Sequence, residues 1–368
     1  MAARAEVGAV SPWGLYVHIP FCPYRCDYCD FVALPAGPLT RRWIPRYLAA
    51  LVREAEQARW QGLAATAFYG GGTPTLVPLA ELHGQLARFV APDAEVTAEA
   101  NPGTVTAESL RDMRRAGINR LSLGLQAAQD HLLQAVHRLH TWDDFLAAYR
   151  VAREAGFDRV NVDLMYGLPG QTLHDWRESL DRVCELAPEH ISAYGLQVEP
   201  GTVLYSRRPP LPDDDAQAEM YDVARERLAG AGYEHYEISN WCRPGMASRH
   251  NLLYWRNRQW LGLGVGAASQ DARRRWTNAA PLAAYCEALE AGRPAPIRDE
   301  EQRDRASDVL VLGLRLSEGV AEADVDLSRF GHAIDVHIER GWLQWGGGRL
   351  RLTAAGVPVA NRVWADLL

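Results

Sequence analysis

The chain has 368 residues, of which 48% are hydrophobic and 23% charged, values of an ordinary globular protein rather than of a disordered, collagen-like or coiled-coil chain. Acidic residues outnumber basic ones by 46 to 39, giving a net charge of −7, which argues against a non-specific nucleic-acid binder. The sequence contains no lysine, which excludes the lysines of P-loop NTPases and of pyridoxal-phosphate enzymes.

Short apolar segments alternate with amphipathic ones through the first part of the chain. The predicted strands are Gly14–Ile19, Thr66–Tyr69, Glu95–Glu99, Arg120–Leu125, Arg159–Tyr166 and His190–Leu196. The predicted helices between them are Thr40–Trp60, Pro78–Phe89, Thr106–Ala116, Gln129–Val136, Trp142–Ala155 and Leu173–Leu186. Repeated strand–helix pairs predict parallel strands with right-handed crossovers. Six units are too few for a closed eight-fold barrel, so an open partial barrel and a doubly wound sheet both fit.

The pattern changes after residue 198. A Pro-, Gly- and Asp-rich segment is followed by a predicted helix, Ala216–Ala229, and by an aromatic-rich region, Tyr233–Trp276. Near the end, a glycine triplet between two short strand-like segments predicts a hairpin, which with the last helix resembles a winged-helix wing. From Glu300 onward the sequence has eight arginines and eleven acidic residues, a balance that favours a packing or docking module over a DNA-binding one. We therefore predict three regions: 1–215, a partial barrel; 216–300, its extension; and 301–368, a smaller winged-helix-like α+β module.

Three of the six cysteines, Cys22, Cys26 and Cys29, follow the first predicted strand within eight residues. The chain start shows no apolar segment of a signal peptide, and no apolar run reaches membrane-spanning length. We therefore expect a cytoplasmic protein without an integral membrane segment, while a peripheral membrane contact stays open. In a reducing compartment such a tight cysteine cluster indicates metal ligation rather than disulfides.

Three thiolates on one short loop can hold three corners of a [4Fe–4S] cube and leave the fourth iron free for an exchangeable ligand. The alternative is a structural zinc site, which needs a fourth close ligand and usually a second CxxC motif. The sequence has no second CxxC, and His18 would be an awkward fourth ligand because it lies within the first strand.

Polar and glycine-rich segments mark the ends of the next strands. They are Gly70-Gly71-Gly72-Thr73-Pro74, Glu99-Ala100-Asn101-Pro102, Gly124-Leu125-Gln126 with Arg138 twelve residues later, and Asn161-Val162-Asp163. Because the carboxyl ends of parallel strands meet at one edge, these residues can share one site. Glycine amides allow close approach, carboxylates accept from an ammonium or ribose hydroxyls, and arginine holds a carboxylate. The set suits a zwitterionic nucleoside.

The cysteine spacing, with Tyr28 before the last cysteine and these motifs in the same order, resembles the radical S-adenosylmethionine (SAM) superfamily. The run Tyr16-Val17-His18-Ile19-Pro20-Phe21-Cys22 further resembles its oxygen-independent coproporphyrinogen III oxidase group. The resemblance implies a partial (β/α)6 barrel and a [4Fe–4S] cluster whose open iron is chelated by SAM. By matching position it implies SAM contacts from Tyr16, Gly72, Thr73, Glu99, Gln126, Arg138 and Asp163, with Tyr28 beside the adenine.

Two features divide that group. The oxidases resemble one another in a further cysteine two residues after the third, where this sequence has Phe31. The segment His250-Asn251-Leu252-Leu253-Tyr254-Trp255 resembles the HNxxYW motif of the heme-chaperone branch, HemW, which is understood to bind heme and pass it to acceptor proteins. The resemblance implies heme contacts from His250, Asn251, Tyr254 and Trp255. The alternative is that His250 is a hydrogen-bonded core histidine.

The sequence therefore predicts a heme chaperone on a radical SAM scaffold, with a [4Fe–4S] cluster, SAM and heme as cofactors. Its expected partners are heme and heme-accepting proteins, and no nucleic acid. The alternative is an oxygen-independent coproporphyrinogen III oxidase, in which a 5′-deoxyadenosyl radical would abstract hydrogen from a propionate chain. A zinc-bound nucleic-acid module is disfavoured by the net charge.

Overall fold

The structure, a computed structural model, describes residues 12–368. Its strands are β1 (Gly14–Ile19), β2 (Phe21–Cys22), β3 (Leu34–Pro35), β4 (Ala64–Gly71), β5 (Val90–Ala100), β6 (Arg120–Gln126), β7 (Val160–Tyr166), β8 (His190–Gly195), β9 (Glu234–Glu237), β10 (Asn240–Cys242), β11 (Trp260–Leu263), β12 (Ala268–Gln270), β13 (Arg274–Asn278), β14 (Ile297–Gln302), β15 (Val320–Ala321), β16 (Leu343–Gly346) and β17 (Arg349–Leu352).

The helices are α1 (Pro38–Arg41), α2 (Ile44–Gln57), α3 (Leu79–Leu86), α4 (Ala107–Ala116), α5 (Asp130–Ala135), α6 (Trp142–Glu154), α7 (Leu173–Leu186), α8 (Val203–Arg207), α9 (Asp214–Gly230), α10 (Arg249–Trp255), α11 (Leu282–Glu290), α12 (Arg305–Gly313), α13 (Leu327–Glu339) and α14 (Ala360–Ala365). Short 3-10 helices cover Pro74–Leu76, Ala87–Phe89, Pro102–Thr104, Glu322–Asp324 and Val357–Val359. Among the described residues, no helix is long and apolar enough to cross a membrane.

Six parallel strands form the centre of the molecule. Strands β1, β4, β5, β6, β7 and β8 are hydrogen-bonded neighbours in that order, all parallel. The order follows the chain without a reversal, as in a barrel, whereas a doubly wound sheet reverses at a central strand. The six strands of this partial barrel confirm the α/β class. Five of the six predicted strands agree with the observed ones to within two residues at each end, whereas β5 begins earlier than predicted, at Val90.

The helices between these strands begin where the sequence has strong capping residues. The side chains of Thr106, Thr141 and Thr172 each accept from the backbone amide three residues later and open α4, α6 and α7. Strand β6 is buried along its whole length, as expected for a parallel strand with helices on one face and a barrel interior on the other.

Further strands extend the sheet at both edges. On one side β11 pairs parallel with β1, and β12, β13 and β14 follow in antiparallel order. On the other side β10 pairs antiparallel with β8, and β9 with β10. The strands of the region predicted as a barrel extension therefore belong to one continuous sheet with the barrel.

The last part of the chain has its own small sheet and core. Strands β15, β17 and β16 form an antiparallel sheet in that order, and Leu310, Ile334, Leu350 and Val363 lie in a separate hydrophobic cluster. Helix α12, strand β15, helix α13 and the β16–β17 hairpin follow one another in the order of a winged helix. The exact boundaries of the three predicted regions stay predictions.

Candidate functional site

The three clustered cysteines lie on a loop that begins at β2, above the carboxyl end of β1. Strand β2 pairs with β3, and Phe21 lies opposite Leu34 in this pair. The pairing joins the two ends of the cysteine loop. The amide of Cys29 donates to the carbonyl of Cys26 at 3.2 Å, and the amide of Asp27 donates to the carbonyl of Val136 at 3.1 Å. The loop is therefore held to the segment that follows α5.

The cysteine loop faces a cavity of about 540 Å³ at the carboxyl ends of the parallel strands. Most of the predicted cofactor residues line it, as expected from their places at strand ends. They are Cys22, Cys26, Tyr28, Cys29, Gly72, Glu99, Gln126, Arg138 and Asp163.

The three thiols are suited to separate irons rather than to one ion. Within residues 12–368, no three His, Cys, Asp or Glu side chains gather closely enough to hold a single metal ion. A [4Fe–4S] cube instead takes one thiolate on each of three different irons. Burial raises the pKa of Cys22 to about 11, with the Thr73 hydroxyl opposing the rise from a distance of 3.7 Å between Oγ1 and Sγ. Iron would have to displace that proton, as it does from a coordinating thiol.

Arg138 connects the cysteine loop with β6. Its Nη1 lies 3.6 Å from the sulfur of Cys26, and its Nη2 donates to the carbonyl of Gly124 at 2.5 Å. Its Nε is buried without a hydrogen-bond partner among the described residues, in a side chain that lines the cavity. An unpartnered buried donor of this kind is costly unless a ligand accepts from it. The arginine therefore fits a ligand carboxylate.

Two carboxylates, those of Glu99 and Asp163, also line the cavity. Glu99 accepts from the amide of Gly71 at 3.1 Å, and Asp163 accepts from the hydroxyl of Ser122 at 2.9 Å. Burial, and then the nearby Asp163 charge, raise the pKa of Glu99 to about 8. Burial also raises the pKa of Asp163, opposed by its hydrogen-bond donors. A ligand that carries positive charge and hydroxyl donors would compensate this pair.

Two glycines of the cavity lining, Gly72 and Gly124, leave no space for a side chain. A Cβ on Gly72 would lie 2.7 Å from the carbonyl oxygen of Ile19 and 2.8 Å from that of Phe21, so no other residue fits without moving backbone. A Cβ on Gly124 would come within 3.0 Å of the Arg138 guanidinium. Both positions therefore let backbone and arginine approach the cavity closely.

Tyr16 and Thr73, which are also predicted to contact SAM, are not among the described residues that line the cavity. The hydroxyl of Tyr16 lies 3.0 Å from Nδ1 of His18, inside the barrel below Glu99. The buried Thr73 hydroxyl accepts from Nδ2 of Asn101 at 2.9 Å and donates to the Cys22 sulfur. Their contact with SAM stays a prediction. In the structure Thr73 bonds two residues that line the cavity, Cys22 and Asn101, whereas the partner of Tyr16, His18, does not line it.

Sequence reasoning missed several lining residues. They include Ser122, Met165, Tyr194, Gln197 and Glu199. The alternation of a strand would have found Ser122 and Met165, because they lie two residues from Gly124 and Asp163 and face the same side. No comparable signal marks Gln197 and Glu199, which follow β8 in irregular backbone.

The HNLLYW segment forms α10, which closes the opposite end of the barrel. Residue His250 is 1% exposed, and its ring stacks on Phe68 with centroids 5.2 Å apart. Its Nδ1 is 2.7 Å from the Thr66 hydroxyl and its Nε2 is 2.8 Å from the Tyr254 hydroxyl. Burial lowers the pKa of His250 to about 3, so the imidazole is neutral.

The other end of α10 meets the C-terminal module. The guanidinium of Arg315 lies 4.3 Å from the ring centroid of Trp255, and Arg256 pairs with Glu318 at 3.1 Å. None of the residues of the segment predicted to contact heme lines the cysteine cavity. In this conformation both ring nitrogens of His250 are hydrogen-bonded, which is the arrangement of a core histidine. Ligation of iron by His250 would require one of these two hydrogen bonds to be broken.

Comparison with known proteins places these features in context. The family described as the Radical SAM superfamily matches residues 16–183. A protein named heme chaperone HemW from Mycobacterium tuberculosis is 40% identical over 97% of this chain and 95% of its own length. Its namesake from Bacillus subtilis is 34% identical over 96% and 98%, and that from Escherichia coli is 40% identical over 70% of each chain.

Among solved structures, coproporphyrinogen III oxidase (HemN) from Escherichia coli, a radical SAM enzyme, is similar with a TM-score of 0.84. The similarity covers 97% of this chain and 90% of the oxidase, at 22% sequence identity. At that identity the likeness shows a common fold and leaves the activity to other evidence.

Proposed function

The chain belongs to the HemW family within the radical SAM superfamily, and on that premise we propose that it is a heme chaperone that holds a [4Fe–4S] cluster and SAM. The observation that carries the proposal is the match along nearly the whole chain, at 40% identity, with a relative named for that function. The oxidase that shares the fold is only 22% identical over a similar length.

The residues of the cysteine cavity support the two resident cofactors. Cys22, Cys26 and Cys29 supply three thiols on one short loop, which suits a cube with one open iron. When bound, the cluster and SAM would supply a site for one-electron chemistry. The unpartnered Nε of Arg138 suits the carboxylate of SAM, and the Glu99–Asp163 pair suits its ammonium, sulfonium or ribose groups.

The position of Phe31 supports the chaperone over the oxidase. Its side chain is 61% exposed and lines the cysteine cavity, where the oxidases resemble one another in a cysteine. Radical chemistry on a propionate requires the substrate carbon close to the 5′ carbon of SAM, and a misplacement of about 1 Å can cost a hundredfold in rate. Binding and release of intact heme do not require that precision.

The partners of this function are heme and heme-accepting proteins of unidentified sequence, and we propose the cytoplasm as its location. The test is a titration of the anaerobically purified, cluster-containing protein with hemin. We expect a saturable change of the Soret band with one heme per chain. A change that grows linearly with added hemin, as for non-specific adsorption, would contradict the proposal.

A further inference from the structure

A surface groove of about 540 Å³ lies in the C-terminal module and shares no lining residue with the cysteine cavity. One wall is formed by Leu327, Gly331 and Asp335 of α13, and the other by residues 345–348 at the tip of the β16–β17 hairpin. Glu322 completes the lining. We call this site the wing groove and define it by these residues. None of the residues assigned above to the cluster, SAM or heme belongs to it.

The helical wall of the groove is one face of α13. Leu327, Gly331 and Asp335 are four residues apart, so they lie along the same side of the helix. Leu327 is 47% exposed although it is a large apolar residue. A Cβ on Gly331 would meet no other atom within 4 Å, so the middle of this wall is open. The helix therefore presents an apolar side chain, a gap and a carboxylate in a row.

The hairpin contributes an exposed indole and backbone without side chains. Trp345 lies opposite the fully buried Leu350, so both side chains are on the same face of the sheet. Trp345 is nevertheless 37% exposed, the most exposed of the twelve tryptophans. A Cβ on Gly347 or Gly348 would meet nothing within 4 Å. Tryptophan is among the residue types that contribute most to protein–protein interfaces.

The charged side chains that line the wing groove are both acidic. Glu322 and Asp335 are exposed, and neither makes an ion pair within residues 12–368. Arg349 follows the hairpin tip directly, but its guanidinium donates to the carbonyls of Glu318 and Gly319 at 2.6 and 2.8 Å. The groove therefore carries negative charge that the module does not neutralise.

We propose that the wing groove docks an extended segment of another protein in which apolar residues lie between arginines or lysines. The apolar side chains of the segment pack on Trp345 and Leu327, and its cations pair with Glu322 and Asp335. The same carboxylates repel the phosphates of a nucleic acid, although the module has the element order of a winged helix.

Resting on the proposed function, the partner is a heme-accepting protein. The module that carries the groove also contacts α10, because Glu318 pairs with Arg256 at 3.1 Å and Arg315 lies over Trp255. A partner docked in the groove is therefore held on the module that meets the segment predicted to contact heme. The groove supplies recognition of the acceptor and needs no contact with heme itself.

The test measures peptide binding to the cluster-containing protein by fluorescence anisotropy. The probe is a short fluorescein-labelled peptide in which two leucines lie between arginines. The matched control peptide has glutamate in place of each arginine. We expect saturable binding of the arginine peptide and binding of the glutamate peptide that is weaker by about tenfold or more, because the groove repels its carboxylates.

Three variants locate the binding in the groove, and each has a matched control elsewhere. The pairs are Trp345→Ser with Leu63→Ser, Asp335→Arg with Glu185→Arg, and Gly331→Gln with Gly84→Gln. Leu63 and Glu185 are exposed, and a Cβ on Gly84 in α3 would meet nothing within 4 Å. Glutamine favours a helix more than glycine does, so lost binding in Gly331→Gln is not lost folding. We expect each groove variant to weaken binding about fivefold or more and each control to stay within about twofold.

The outcomes separate the groove from the proposed function. No saturable binding of the arginine peptide, equal binding of the two peptides, or binding that is unchanged in all three groove variants would overturn the groove. Self-association of the wild type that Trp345→Ser abolishes, without peptide binding, would overturn it in favour of a second copy of the chain. Saturable hemin binding would leave the chaperone function standing in all these cases. Its absence from a wild type that binds the peptide would contradict that function and leave the groove standing.

Discussion

Arg138 and Cys26 are in contact, with the guanidinium Nη1 3.6 Å from the thiol sulfur, although 112 residues separate them in the chain. The same side chain donates through Nη2 to the carbonyl of Gly124 on β6. One buried cation therefore fixes the cysteine loop relative to the strand ends. The third nitrogen, Nε, is left to a ligand in the cavity.

We expect Arg138→Lys to weaken SAM binding about tenfold or more, because an ammonium keeps the charge but cannot bond the loop, the strand and a carboxylate together. A charge-assisted hydrogen bond contributes roughly 1.5–3 kcal/mol, which corresponds to that loss. Equilibrium dialysis of the cluster-containing protein measures it, with Arg177→Lys as the control. Equal SAM affinity in Arg138→Lys and the wild type would remove Arg138 from the site.

Replacement of Cys22, Cys26 or Cys29 by Ala is expected to abolish the broad visible absorbance and most of the bound iron, since each thiolate serves a different iron. Cys184→Ala is the matched control, because Cys184 lies half-buried on α7 away from the cavity. Metal and sulfide analysis of anaerobically purified protein provides the measurement. Stoichiometric zinc without iron or sulfide in the wild type would favour the zinc alternative.

Glu54 should make stability depend on pH. Burial raises its pKa from an ordinary value near 4.5 to about 7 in the folded protein. The folded state then binds the proton more tightly, so the stabilisation is complete below about pH 4.5 and is lost as the pH rises to 7. The loss in unfolding free energy is about 3 kcal/mol, at roughly 1.4 kcal/mol per pH unit.

Denaturant unfolding at several pH values checks this for the wild type and Glu54→Gln. The variant should lose less stability between pH 4.5 and 7 than the wild type does, and the difference isolates the contribution of Glu54 from that of other buried carboxyls. Identical slopes for the two proteins would show that the pKa of Glu54 does not rise on folding.

His250→Ala is expected to lower the free energy of unfolding by about 2–4 kcal/mol. It leaves the buried hydroxyl of Thr66 and that of Tyr254 without their partner and removes a ring that packs on Phe68. Chemical denaturation measures the change, with the exposed His332→Ala as control. A loss below about 0.5 kcal/mol would show that the imidazole is not part of the barrel core.

Much of the barrel could be predicted from the sequence because its pattern is local. The predicted and observed ends of β1 are the same. The predicted strand Arg120–Leu125 ends one residue before the observed end of β6 at Gln126. The cysteine loop and the strand-end motifs could also be placed, because parallel strands bring their carboxyl ends together whatever their exact packing. Nine of the predicted cofactor residues accordingly line one cavity.

The edge strands and the surroundings of α10 could not be predicted, since they depend on contacts between distant segments. Strand β14, Ile297–Gln302, is exposed throughout and shows no alternation of apolar residues. The bond between His250 and Thr66 joins residues 184 positions apart. A motif comparison identifies such a histidine, but only the tertiary structure shows that both of its nitrogens are used.

Whether the chain carries heme or consumes its precursor is tested most directly by product analysis. The cluster-containing protein is incubated anaerobically with SAM, a reductant and coproporphyrinogen III, and the tetrapyrroles are separated by chromatography. We expect unchanged coproporphyrinogen III from a preparation that binds heme saturably in parallel. Multiple turnovers to protoporphyrinogen would contradict the chaperone function and identify the protein as an oxidative decarboxylase.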